Sequence, residues 1–164
     1  MSDNDYTEIY NQIVHFVRCN GAKIRHKKLT HNFGLTDSDT GRITVDSGIR
    51  NTHKGCFVLL HEYIHFLQLK QPKYKSFFNI PPDVPKEKRG RWLDLIEKVE
   101  TETDARAHKL LYKNWGLWHT PSDVANRREH LRKSWEKHFW GEHDGLTNAK
   151  RFQRKAQCKS PLQG

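Results

Sequence analysis

Two histidines four residues apart, set in a stretch that is otherwise almost wholly apolar, constrain this chain more than anything else in it. The pentapeptide is His61-Glu62-Tyr63-Ile64-His65. Around it Phe57, Leu60, Ile64 and Leu67 recur at helical spacing, which predicts a helix from about Gly55 to about Leu69, with Pro72 a stop shortly beyond. Four residues on a helix make slightly more than one turn. His61 and His65 therefore project from one face, close enough for both imidazoles to hold one Zn²⁺, with Glu62 beside them as a general base. A lone histidine on an inward face reads as a hydrogen-bonded core residue. Two at i and i+4, with an acid next to the first, read as metal ligands.

A catalytic zinc takes three protein ligands and leaves its fourth position to water. The best source of the third is the strongly helical run from Arg91 to about Asn114. Within it Glu100-Thr-Glu-Thr-Asp104 puts two carboxylates at i and i+4 on one face, with His108 a further turn along. Leu93, Ile96, Thr103, Ala107 and Leu111 share or adjoin that face, which argues against a solvated acidic stripe. Glu100 is the first candidate; Glu102, Asp104 and His108 obey the same ligand rules and stay open as alternatives. With Glu100 as ligand, Asp104 becomes a second-layer acceptor for a ligand histidine N–H.

Several segments together resemble the ImmA/IrrE-type zinc metallopeptidases. They are Gly34-Leu35, then Gly41-Arg42-Ile43-Thr44-Val45-Asp46-Ser47, then Phe57-Val58-Leu59-Leu60-His61-Glu62-Tyr63-Ile64-His65. The acid-rich Glu100-Thr-Glu102-Thr-Asp104-Ala105-Arg106-Ala107, ending in Leu110-Leu111, is similar to that family's downstream helix. The match spans roughly Ile9 to Leu111. The resemblance implies an α+β, zincin-like fold: a small twisted sheet packed on the HExxH helix and a downstream ligand helix. It also implies His61, His65 and Glu100 as zinc ligands and Glu62 as catalytic base. In such folds one sheet edge lies along the cleft, where an extended substrate can add as a strand. Residues Arg42 to Asp46, directly before the helix, are the candidate for that edge.

The chain's 164 residues suit one compact domain with a real core, supplied by five Trp, five Tyr and eight Phe despite a mean hydropathy of −0.92. The opening Met1-Ser-Asp-Asn-Asp is acidic and polar, unlike a secretory leader, and the longest apolar run is too short to span a bilayer. Cys19, Cys56 and Cys158 are odd in number, widely spaced and without CxxC pairs. They read as reduced thiols, and a cytoplasmic location is expected. Cys56 reads as a small buried hydrophobe.

Along the chain, Ile9, Ile13, Phe16 and Val17 predict an amphipathic helix from Tyr6 to about Cys19, closed by Asn20-Gly21. Ala22 to Leu29 reads as a strand. Asp37-Ser-Asp-Thr-Gly41 is dense in turn formers, so Phe33-Gly-Leu and Arg42 to Val45 are expected to pair as a hairpin around it. Gln71 to Gly90, with Pro72, Pro81, Pro82 and Pro85, reads as a loop whose Phe77, Phe78 and Ile80 either wall the cleft or tuck onto the core.

Residues 1–118 are thus read as the zincin-like metallopeptidase domain, and 119–164 as a basic helical C-terminal extension packed on it. Thr120-Pro121-Ser122-Asp123 is a helix start, predicting a helix to about Trp140, and a second is expected from Thr147 to about Gln157. From Arg127 to Gly164, ten Lys or Arg face four acids, giving this stretch +6 of the chain's formal +10. Arg127, Arg128, Arg132, Lys133, Lys150, Arg151, Arg154 and Lys155, interleaved with Trp135, Phe139 and Trp140, form a candidate nucleic-acid footprint. A solvated cationic face gives the same pattern.

The expected activity is a zinc-dependent endopeptidase that hydrolyses an intracellular protein target, with Glu62 assisting attack by a zinc-bound water. A hydroxyl or cationic donor should stabilise the oxyanion; Tyr112 and His108, then His119 and Tyr74, are candidates by type. The other readings are a catalytically silent zinc-binding regulator with a zincin-like fold, or a basic nucleic-acid-binding protein. No membrane partner is expected.

Overall fold

The computed structural model describes residues 6–118, 135–137, 140, 142–143 and 146–147, and the chain divides into two compact units. The first comprises residues 1–78 and 101–119, the second 79–100 and 120–164. No helix among the described residues is long and apolar enough to cross a membrane.

The first unit opens with helix α1, Thr7–Cys19. Its buried stripe is Tyr10, Ile13 and Val17, spaced three and four residues apart as one helix face requires. It ends where Asn20 N–H donates to the Phe16 carbonyl and Gly21 turns into the left-handed region at φ +94°. Helix α2, His53–Gln68, starts two residues before the position expected from sequence. Thr52 caps it: the threonine is extended, and its Oγ1 accepts from Gly55 N–H at 3.0 Å. Nearly every residue from Gly55 to Phe66 is buried, so α2 is a central helix rather than a one-sided surface one. Helix α3, Gly90–Trp115, ends at Gly116, φ +68°, and sends Ala107 and Leu111 into the same core. Full burial of side chains such as Leu59, Leu60 and Ile13 contributes roughly 1.5–3 kcal/mol each.

Three short strands complete this unit: β1 (Ile24–Lys27), β2 (Gly34–Thr36) and β3 (Ile43–Asp46). The protein is thus α+β, with a small mixed sheet. The expected hairpin forms, Gly34 facing Val45 and Thr36 facing Ile43. The expected edge does not. Residues 43–46 run down the middle of the sheet, parallel to β1 and antiparallel to β2, in the order β1-β3-β2. Ile43, Thr44 and Val45 are all buried in succession, as a strand enclosed on both sides must be. Strands β1 and β2 are the edges instead, and α2 packs on β2 and β3.

The Pro-rich segment is more ordered than a plain loop. It holds three 3₁₀ turns, Pro72–Tyr74, Phe77–Asn79 and Lys86–Lys88. Pro72 occupies the first position of its turn, where a missing N–H costs nothing, and Tyr74 is buried. In the second unit Val84, Leu93 and Trp140 form a small cluster flanked by Ile80 and Trp92. There Arg89 donates to the Val84 carbonyl at 3.0 Å and lies over the Trp140 ring. Strands β4 (Glu142–His143) and β5 (Leu146–Thr147) pair antiparallel. Thr147 therefore ends a strand rather than opening a helix; the Asp144-Gly145 dipeptide between the strands is the strongest short hairpin signal. Of the helix expected over 120–140, residues 135–137 and 140 are helical. The rest of it, the remainder of the helix expected over 147–157, and Cys158 lie outside the described residues.

Gly55 is where α2 meets the chain before it. A Cβ there would stand 2.0 Å from the Ile49 carbonyl oxygen and 3.3 Å from the Tyr10 ring. Gly55→Ala should therefore cost at least about 1–3 kcal/mol through forced backbone movement. Gly90→Ala, at a helical position with open space around it, should instead be neutral or gain a few tenths of a kcal/mol. Thermal unfolding of the two variants should move in opposite directions from wild type, or at least differ by several degrees.

Candidate metal centre

Burying imidazoles and carboxylates in an apolar core is costly unless each polar atom finds a partner. Here four such groups from α2 and α3 are buried together: His61, Glu62, His65 and Glu100, none more than 8% exposed. One ligand atom each from His61, His65 and Glu100 lie within 4.8 Å of one another. This buried His–His–Glu group could hold a metal ion. The two imidazoles meet edge-on with centroids 4.7 Å apart, as i and i+4 residues on one helix face do. The cut between the two units falls inside α3, at the peptide bond after Glu100. Glu100 is thus held by the same unbroken helix as Thr103 and Asp104.

What prepares the histidines is the other side of each ring. His61 Nδ1 lies 2.7 Å from Asp104 Oδ1, and His65 Nδ1 lies 2.8 Å from Gln68 Oε1. Both partners offer an acceptor oxygen, so each ring donates from Nδ1, and Nε2 is the nitrogen each would use toward a metal. Gln68, completely buried, donates its own amide to Thr103 Oγ1 at 2.9 Å. That bond ties the Gln68 amide to α3. Two helices thus orient two ligands through one connected network.

The remaining candidates separate cleanly. Of the four possible third ligands, Glu100 joins the histidines, while Asp104 supports His61 from behind. Glu102 accepts a short hydrogen bond, 2.5 Å, from the Tyr74 hydroxyl. His108 stacks on Phe57 at 4.4 Å, and Phe57 in turn lies against His61. Tyr112 is 47% exposed and packs on Trp118. Neither His108 nor Tyr112 belongs to the His–His–Glu group. His119 and the basic positions Arg127, Arg128, Arg132, Lys133, Lys150, Arg151, Arg154 and Lys155 lie outside the described residues. Cys56 is buried beneath α1, and desolvation pushes its thiol up to about 12, so it stays protonated at neutral pH and offers no thiolate to a metal.

Sequence reading passed over several residues that shape the site. Gln68 gave one usable signal: it is a polar residue three positions after the second histidine on an inward helix face. The sequence leaves two placements open to the aromatics of the Pro-rich segment; Phe77 stacks on His65 at 5.4 Å and Phe78 meets it edge-on at 6.0 Å. Thr36, whose hydroxyl reaches the Glu62 carboxylate, had no signal in the sequence.

Comparison with family models, curated proteins and solved structures found no match. The functional reading therefore rests on the site's own chemistry.

The residues fit a divalent metal such as zinc: two imidazoles and one carboxylate are a three-ligand set for it. Replacing Gln68 by Ala leaves the ligands in place but frees His65 to rotate. Gln68→Ala should weaken zinc binding about 10–100-fold. Competition with a chromophoric chelator measures this, with far-UV circular dichroism to check that the helices persist.

Proposed function

We propose that this protein is a zinc-dependent endopeptidase of the zincin class, similar to the ImmA/IrrE-type metallopeptidases, acting on an intracellular protein target. The observation that carries this reading is the paired Nδ1 anchoring of His61 and His65. Each ring is held from Nδ1 while one ligand atom of each lies within 4.8 Å of one from Glu100, with Glu62 next to His61 in the chain. A histidine kept only for packing needs neither a fixed tautomer nor a third donor facing the same point. The α+β arrangement, a small mixed sheet lying on α2, is compatible with a zincin-like fold.

When bound, Zn²⁺ supplies a Lewis acid that lowers the pKa of a water to roughly 7 and polarises the scissile carbonyl. The chain's own residues do the rest. Asp104 and Gln68 hold the two imidazoles in orientation through their Nδ1 atoms. Glu62 accepts the proton of the attacking water and delivers it to the leaving amine nitrogen, so that the peptide bond breaks into a carboxylate and a free amine. Phe77 and Phe78 wall the site beside His65 and keep bulk water off that ligand. With β3 inside the sheet, β2 is the strand whose open edge an extended substrate would meet.

The decisive variant is Glu62→Gln, which preserves shape and removes the proton acceptor. Purified wild-type protein should carry about one zinc per chain by elemental analysis and cleave unfolded casein. Glu62→Gln should keep the zinc and lose at least about 100-fold in turnover. A protein that takes up no zinc, or a Glu62→Gln variant that cleaves as well as wild type, overturns the proposal.

A further inference from the structure

Strand β2 reaches the site through Glu62. Successive strand residues face opposite sides of the sheet, and Gly34 and Thr36 share the side that meets α2. The Thr36 hydroxyl lies 2.6 Å from Glu62 Oε2 and 3.0 Å from the Glu62 carbonyl oxygen. The shorter contact, hydroxyl to carboxylate, belongs to the strong, charge-assisted class. At Gly34 a Cβ would stand 2.8 Å from Glu62 Cγ, 3.1 Å from Glu62 Oε1 and 2.7 Å from Val58 Cγ1. Glu62 therefore lies flat across a strand that has no side chain at that point. One carboxylate oxygen is committed to Thr36, and the other sits over the glycine.

The geometry points to Gly34 and Thr36 as positioning residues for Glu62, acting on the peptidase reading given above. Thr36 holds Oε2, and Gly34 leaves the space that lets the side chain lie against β2. Oε1 is then the oxygen that receives the proton from the attacking water and releases it to the leaving amine. The arrangement answers a problem specific to this site. An acid immediately after a ligand histidine sits close enough to the cation to be drawn in as a further ligand, and a carboxylate consumed that way is lost as a base. A tether from the sheet holds it back. It also removes the rotamer freedom of a side chain that must meet its proton in one geometry.

A hydrogen bond that merely pinned β2 to α2 would affect stability alone, so the test reads Glu62 directly as well as turnover. Thr36→Val removes the donor at nearly constant volume, Thr36→Ser retains it, and Gly34→Ala fills the gap. Because Gly34→Ala also crowds Val58 and could disturb folding, the Thr36 pair carries the test. Crystal structures of the zinc-loaded proteins should show Glu62 against β2 in wild type and Thr36→Ser, and rotated away from residue 36 in Thr36→Val. All of them should retain one zinc per chain. With unfolded casein, Thr36→Val should lose on the order of 10–100-fold in kcat with KM within about twofold, and Thr36→Ser should recover most of it. Glu62 keeping its wild-type position in Thr36→Val overturns the inference whatever the activity. So does Thr36→Val turning over as fast as wild type. A wild-type protein that cleaves nothing, yet loses the Glu62 orientation in Thr36→Val, leaves the positioning role standing and removes the peptidase reading instead.

Discussion

The hydrogen bonds that hold His61 to Asp104 and His65 to Gln68 set the terms for the rest of the first unit, because they are buried and lie between apolar layers. A buried donor or acceptor left without its partner costs about 1–3 kcal/mol, more where a charge is involved. The network is therefore satisfied as a whole or not at all. Gln68 needs Thr103 for its amide protons, and Thr103 and Asp104 need α3 at one height and rotation against α2. Apolar packing through Ala107 and Leu111 would tolerate a slip of a few tenths of an ångström. The two hydrogen bonds that cross from α2 to α3, at 2.7 and 2.9 Å, would not. The core supplies most of the stability, and the polar layer selects one alignment of the helices.

Sheet and helices meet the same centre by different physical means. Helices α2 and α3 approach through side chains that span the gap between them. Strand β2 approaches by having almost none, since Gly34 lets its backbone come up against Glu62 and only Thr36 reaches across. Close approach of this sort depends on Gly55 as well, where α2 passes the Ile49 carbonyl with no room for a methyl group. Two glycines thus locate the helix segment that carries the motif: Gly55 sets its entry and Gly34 the face turned to the sheet.

The parts of this arrangement that were legible in the sequence are the local ones. Helices α1, α2 and α3 show a 3.6-residue apolar repeat, and the hairpin joining β2 to β3 shows a run of turn formers, each within a window of twenty or so residues. The inward face of α3 was legible too, because Glu100 and Asp104 stand in register with Ile96, Ala107 and Leu111. The order of the strands was not. It turns on a parallel pairing between β1 and β3 that bypasses β2, a long-range choice that leaves little trace in either strand. For the same reason Thr36 and Gly34 gave no warning, since their roles exist only once β2 is laid along α2. The Pro-rich segment misled in the opposite sense. Its prolines marked breaks correctly, but Tyr74 is anchored to Glu102 by a contact that pairs residues 28 positions apart.

A three-ligand site is open only if nothing else in the protein closes it, and here the nearest competitors are each occupied elsewhere. Glu102 is bonded to Tyr74, Asp104 to His61, and burial keeps the Cys56 thiol protonated. Glu62 is the remaining carboxylate beside the histidines, and the Thr36 hydroxyl draws it toward β2. Among the described residues the group of three is therefore not extended to four. Structural zinc sites are closed by a fourth protein ligand, whereas catalytic ones keep that position for water and substrate. A chain that needed zinc only to brace α2 against α3 would gain by letting Glu62 turn inward. Held to Thr36, that acid stands outside the group of three, which adds support to the catalytic reading proposed above.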